Sequence, residues 1–289
     1  MKFGVNTLIW GAAFGPSDFH LLPAIKERGF DGIEVPILDP AAFDPAVVGR
    51  ELDRMGLERT AVTVIPGGLS LGSSDDGIRW RACAHVEACI AAVRDAGATI
   101  LGGPLYTPVG HLTGHRRTAD EWKWTVESWQ RLGPAVHAAG IEIAIEPLNR
   151  FETYFLNTAA DAVSLCREID DPAIGILLDT FHANIEEKSV GAAVRRAAPY
   201  LKHLHTCEND RGVPGSGHVE WAEFFAAVGD VGYDRWLTIE SFGFAIAPLA
   251  AAAAIWRDLA STPDAIAFEG IDFLRANAPG ARASTRPVS

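Results

Sequence analysis

Residues 174–179 read Ile-Gly-Ile-Leu-Leu-Asp, followed at once by Thr180-Phe-His182-Ala-Asn-Ile-Glu-Glu187. A short apolar run that stops on a carboxylate and gives way to polar chain is the pattern of a strand buried on both faces of a parallel sheet. Two other runs close in the same way, Ile141-Glu-Ile-Ala-Ile-Glu146 and Trp236-Leu-Thr-Ile-Glu240, and a third, Leu201-Lys-His-Leu-His205, closes on an imidazole. Towards the amino terminus, comparable runs lie at Lys2 to Asn6, Gly32 to Val35, Arg59 to Val64 and Thr99 to Gly103. The count of expected strands is therefore eight.

Segments of helical period separate them, at Phe19 to Arg28, Pro45 to Met55, Asp76 to Asp95, Ala119 to Ala139, Thr158 to Glu168, Val190 to Ala198, Trp221 to Val231 and Leu249 to Ala260. Glycine follows several of them, at Gly29, Gly56, Gly97 and Gly140, as expected where a helix stops. Eight strands alternating with eight helices predict one (β/α)8 TIM barrel over residues 1–275, with an additional carboxyl-terminal helix. Residues 276–289, rich in small residues and proline, are expected to form a flexible tail. The alternative, a doubly wound open sheet, usually carries Gly-x-Gly-x-x-Gly after its first strand, and nothing of the kind follows Phe3. Gly212-Val-Pro-Gly-Ser-Gly217 imitates a phosphate loop, but Pro214 interrupts it and no helix follows directly.

Composition narrows the function. Hydrophobic residues make up 48% of the chain, enough for a large core, and the formal charge of -12 comes with no basic stripe. Such a surface repels phosphate backbones and anionic lipid, so neither nucleic acid nor a membrane is an expected partner. The start, Met1 to Trp10, has no long apolar core of a signal peptide, and Leu249 to Trp256 is too short to span a bilayer. Cys83, Cys89, Cys166 and Cys207 form no CxxC pair. A soluble protein of the reduced cytoplasm is expected.

In a barrel of this kind the carboxyl ends of the strands gather on one face, where the chemistry is done. Glu146, Asp179, His205 and Glu240 end strands five to eight. Neighbouring strands lie about 4.8 Å apart, so the four side chains converge. An acidic residue after a strand often only caps the next helix, and Asp179 is placed to do so, but four caps at four successive strands would be a coincidence. Three converging carboxylates repel unless a cation lies between them, and with one imidazole they suit Mn²⁺ or Mg²⁺ better than a structural zinc ion.

The wording around these residues is also familiar. Glu146-Pro-Leu-Asn-Arg-Phe-Glu152, Leu178-Asp-Thr-Phe-His-Ala-Asn-Ile-Glu-Glu187 and Ile239-Glu-Ser-Phe242 resemble the ketose 3-epimerases, which include D-tagatose, D-psicose (allulose) and L-ribulose 3-epimerases within the xylose isomerase-like barrels. The resemblance extends from the first strand to Trp256-Arg-Asp-Leu. It implies that Glu146, Asp179, His205 and Glu240 hold one divalent ion, Mn²⁺ first and Co²⁺ or Mg²⁺ as alternatives, with Glu146 and Glu240 doubling as acid and base. It further implies that Glu152, His182 and Arg211 touch a ketose, and that the protein is a homodimer or homotetramer. Trp10 and Tyr106 are expected to wall the pocket. The sequence departs from the family after His205, where Cys207 precedes Glu208 and Asp210 precedes Arg211. The loops after the first and third strands, Gly4 to Trp10 and Ile65-Pro-Gly-Gly-Leu69, also differ from the best-known members.

The chemistry implied is epimerisation at C3. A proton beside a ketone leaves at neutral pH only if the developing enediolate is stabilised, which a cation on the neighbouring oxygens would do. Inversion then needs a carboxylate on each face of the carbon. The same scaffold also suits aldose–ketose or hydroxypyruvate-type isomerisation, inosose dehydration and carbon-glycoside cleavage. A sugar-binding protein without turnover would have no need of two carboxylates straddling one carbon.

Overall fold

The computed structural model describes residues 1–280. Its eight strands are β1 (Lys2–Asn6), β2 (Gly32–Pro36), β3 (Glu58–Val62), β4 (Ile100–Gly103), β5 (Glu142–Ile145), β6 (Ile174–Asp179), β7 (Leu201–His205) and β8 (Trp236–Ile239). All are parallel, each pairs with the next, and β1 pairs with β8, so the ring is closed. Ten helices surround it: α1 (Leu22–Glu27), α2 (Pro45–Met55), α3 (Asp76–Asp95), α4 (Ala119–Ala139), α5 (Ala159–Ile169), α6 (Thr180–Glu186), α7 (Val190–Ala197), α8 (Trp221–Asp230), α9 (Ala247–Ala252) and α10 (Pro263–Asn277). The main core, from Val5 through Trp129 to Leu274, lies between ring and helices. Local chemistry sets the boundaries. Thr118 caps α4 through a reciprocal box with Glu121, and Gly140 ends it in the left-handed region at φ 66°.

Side chains of alternate residues along each strand point into the ring. Ile100, Ala144, Leu177 and Trp236 form a separate buried apolar cluster there. Two residues further along the same strands the inward positions are Gly102, Glu146, Asp179 and Thr238, and Glu240 follows on β8. These strands are thus apolar inside the ring where they enter and carry Glu146, Asp179 and Glu240 where they leave.

Two expectations need correction, and one element was not foreseen. The long helix expected over 249–260 is instead the six-residue α9, an irregular stretch in which Ala254 has φ 53°, and then α10. Its alanine run lacks large apolar side chains to anchor a continuous helix, and Thr262 with Pro263 starts a new one. The domain boundary expected at 275/276 falls inside α10, whose Ile266, Ile271 and Leu274 are buried. The rest of the expected flexible tail, residues 281–289, lies outside the described residues. Finally, α6 was not foreseen: seven residues are too few to display a period, although Asp179 accepts the Phe181 N–H at its start.

Candidate active site

Glu146 follows β5 directly, and its own N–H still reaches the Gly103 carbonyl (2.9 Å) before Pro147 ends the ladder. Asp179 and His205 are the last residues of β6 and β7, and Glu240 follows β8. All four are buried, at 4%, 0%, 0% and 6% exposure, so none is a surface cap alone. One donor atom from each lies within 4.8 Å of the other three. His205 Nδ1 stands 3.4 Å from Glu240 Oε2 and 3.9 Å from Glu146 Oε1.

Buried polar atoms are normally paired, yet His205 Nδ1 and Glu146 Oε1 have no hydrogen-bond partner among the described residues. Both face the same small volume. A divalent cation there would satisfy each and cancel the repulsion between carboxylates, so the donor set fits such an ion. Arg211 supplies the positive charge that the chain itself offers: its Nη1 donates to Asp179 Oδ2 (2.8 Å) and Glu240 Oε2 (2.7 Å). The guanidinium is flanked by the Phe181 ring at 4.0 Å and the Phe242 ring at 5.0 Å. Its backbone is left-handed, φ 66°, a strain of about 1–3 kcal/mol for a residue other than glycine.

The loop that holds Arg211 is organised by a neighbour that the sequence reading left without a role. Glu208, fully buried, accepts the N–H groups of Gly215 (2.8 Å) and Val219 (3.0 Å) and the Trp221 indole N–H (2.8 Å). The glycine-rich stretch at 212–217 therefore turns its Gly215 amide towards a carboxylate of its own chain.

Environment separates the two glutamates. Burial, then the Glu240 charge, pushes the Glu146 carboxyl well above the usual range. Glu240 suffers the same burial, but the positive fields of the neighbouring His205 and Arg211 outweigh it and hold that carboxyl low. Two carboxyls with opposite protonation preferences in one pocket are the arrangement that acid/base chemistry needs. Burial, with Arg211 and His205 nearby, also drives the His182 imidazole well below its ordinary value.

The tautomer of His182 follows from its partners. The Asn149 backbone N–H can only donate, and it reaches His182 Nδ1 at 3.1 Å. Nδ1 therefore accepts, and the proton of the neutral ring sits on Nε2, 3.2 Å from Arg211 Nη2. Two donors thus lie side by side, placed so that one acceptor oxygen next to them could take both. Glu152 completes this side, held by Asn149 Nδ2 at 2.7 Å.

A cavity of about 470 Å³ opens above the cluster, within the size range of small-molecule sites. Glu146, Glu152, His182, Arg211 and Glu240 line its floor, whereas Leu8, Ile65, Pro66, Phe242 and Leu249 make an apolar mouth. Trp10 and Tyr106 are not part of the lining, contrary to expectation. Trp10 turns outward, donating from Nε1 to Asp264 of α10 (2.7 Å). Tyr106 is fully buried against Phe155, and its hydroxyl donates to the Glu146 carbonyl (2.9 Å), so it braces the strand end from behind. Sequence reasoning also missed Glu34 and Asn6, which lie in the ring beside His205 and Glu240; a lone carboxylate inside a strand carries no terminal signal.

Residues 22–277 match the family model of the xylose isomerase-like TIM barrels. A probable ketose 3-epimerase of Synechocystis is 37% identical, over 95% of this chain and 96% of the relative. The chain belongs to the ketose 3-epimerases. These are carbohydrate isomerases, and other members of the family lie close as well. The L-ribulose 3-epimerase of Mesorhizobium japonicum is 32% identical over 100% of this chain and 98% of its own. The crystal structure of a Methylomonas D-allulose 3-epimerase in complex with D-allulose superposes with a TM-score of 0.91 at 27% identity, covering 96% of this chain and 97% of the other. Among its described residues this epimerase has no helix long and apolar enough to cross a membrane.

Proposed function

We propose that this epimerase inverts C3 of a free ketose through a cis-enediolate, with Glu146 and Glu240 as the acid/base pair. Glu146, Asp179, His205 and Glu240 would hold one divalent cation, Mn²⁺ ahead of Co²⁺ or Mg²⁺. Such an ion supplies electron withdrawal at the sugar carbonyl, which acidifies the adjacent C–H. The observation that carries the reading is the pair of orphaned donors, His205 Nδ1 and Glu146 Oε1, converging with two further carboxylates on the floor of the cavity.

The residues divide the remaining work. One of Glu146 and Glu240 takes the C3 proton and the other returns one to the opposite face, the order depending on the handedness of the substrate. Arg211 and the Nε2–H of His182 donate together to an oxygen at the carbonyl end, which relieves their mutual approach. Glu152 accepts from a neighbouring hydroxyl. The apolar mouth touches the far end of the sugar and excludes water from the floor.

Metal-reconstituted protein would be incubated with D-fructose, D-tagatose and L-ribulose in D₂O and followed by NMR. Deuterium at C3 together with the C3 epimer is the expected result. Deuterium at C1 would make the protein an aldose–ketose isomerase, and loss of water would make it a dehydratase.

A further inference from the structure

Glu34 lies in β2, fully buried, and does not line the cavity. Its Oε1 is 2.7 Å from His205 Nε2 and accepts from Asn6 Nδ2 at 3.0 Å. Its Oε2 accepts from Thr60 Oγ1 at 2.9 Å and stands 2.9 Å from His203 Nε2. Asn6 Nδ2 also reaches Glu240 Oε1 at 3.3 Å, tying this carboxylate to one of the cavity floor.

An ionised carboxylate only accepts, so the nitrogen of His205 that faces Glu34 must carry a hydrogen. A neutral imidazole protonated on Nε2 keeps its lone pair on Nδ1. That is the atom facing Glu146 and Glu240 without a partner. We propose that Glu34 is a positioning residue: it fixes the tautomer and ring angle of His205 so that the Nδ1 lone pair points at the proposed cation. This rests on the cation reading of the preceding section. Thr60 and Asn6 hold the carboxylate from its other sides, so it cannot swing away from the ring.

The rival is a second cation centre made by Glu34, His203 and His205, whose donor atoms also converge. It would require His205 to give up lone pairs on both nitrogens at once, which only an imidazolate can do. The Thr60 and Asn6 donors already occupy the Glu34 oxygens, so the carboxylate acts as the partner of an N–H.

Calorimetric titration of the metal-free protein with Mn²⁺ compares native protein with Glu34→Gln and Thr60→Val. Glu34→Gln should weaken binding about 10–100-fold, as loss of the hydrogen-bond partner of a ligating histidine does. Thr60→Val should weaken it less, and guards against a failure of the first variant to fold. In parallel, ¹⁵N-edited NMR of the native, Mg²⁺-saturated protein should show a strongly downfield Nε2–H on His205 that moves upfield in Glu34→Gln. Unchanged affinity in both variants, or a proton on Nδ1, would overturn the role of Glu34 while leaving cation binding intact. No Mn²⁺ binding by the native protein would overturn both.

Discussion

Glu146 and Glu240 share burial and side-chain type, yet their neighbours drive their carboxyls in opposite directions. Replacing either by Gln keeps the shape and removes the proton carrier. Turnover should fall at least about 10²–10⁴-fold while the circular dichroism spectrum stays native. Arg211→Ala should do two separable things. It removes a donor to substrate, which raises KM, and it leaves Asp179 and Glu240 without their buried cationic partner, which costs about 3–5 kcal/mol in metal-free protein. Denaturation with and without Mn²⁺ checks this, since the cation should recover part of the loss. Tyr106→Phe removes only the hydroxyl that holds the Glu146 carbonyl, so stability should drop about 0.5–1.5 kcal/mol, measured by urea unfolding.

At the opposite end of the barrel, strands are joined by charge. Glu142 of β5 meets Lys202 of β7 at 2.7 Å and pairs with Arg235, which precedes β8. Partial burial raises the Glu142 carboxyl, but hydrogen bonds from Arg235 and Lys202 outweigh it and leave the group below its ordinary 4.5. A carboxyl lowered by folding stabilises above its unfolded value and loses that contribution as pH falls through the folded one. Glu142→Gln should therefore cost on the order of 1 kcal/mol at neutral pH, a difference that shrinks below about pH 4.5 in melting curves. The elements themselves were largely legible: an apolar run ending on a titratable residue marks a strand that leaves the core at a site, and a repeat of eight strand–helix units admits few closures. The four strand-end residues were found for that reason. Trp10 and Tyr106 were placed on the wrong side and Glu34 was missed, because an aromatic or a carboxylate near a strand gives no sign of which way its side chain turns until the ring closes around it. The residues after Ala247 were misread as one helix because an alanine run favours helix without anything to dock it.

All four cysteines are buried, two of them in α3, and burial pushes the Cys89 thiol up to about 11 and Cys166 up to about 12. A chromogenic disulfide reagent should find no thiol in native protein and four after addition of guanidinium. Ring closure has a further meaning for the chain as it is made. β1 is formed from the first residues and must wait for β8, the last strand, before both its edges are paired. Until then β1 and β7 each offer an unpaired edge to any extended neighbour. The closing contacts are made by late residues on early ones: Asp264 of α10 accepts from Trp10, and Arg275 donates to the Gly29 carbonyl. Glu240 arrives with the same strand that completes the ring. A nascent chain thus passes through a stage that is adhesive and inert, and a single late event ends both conditions together.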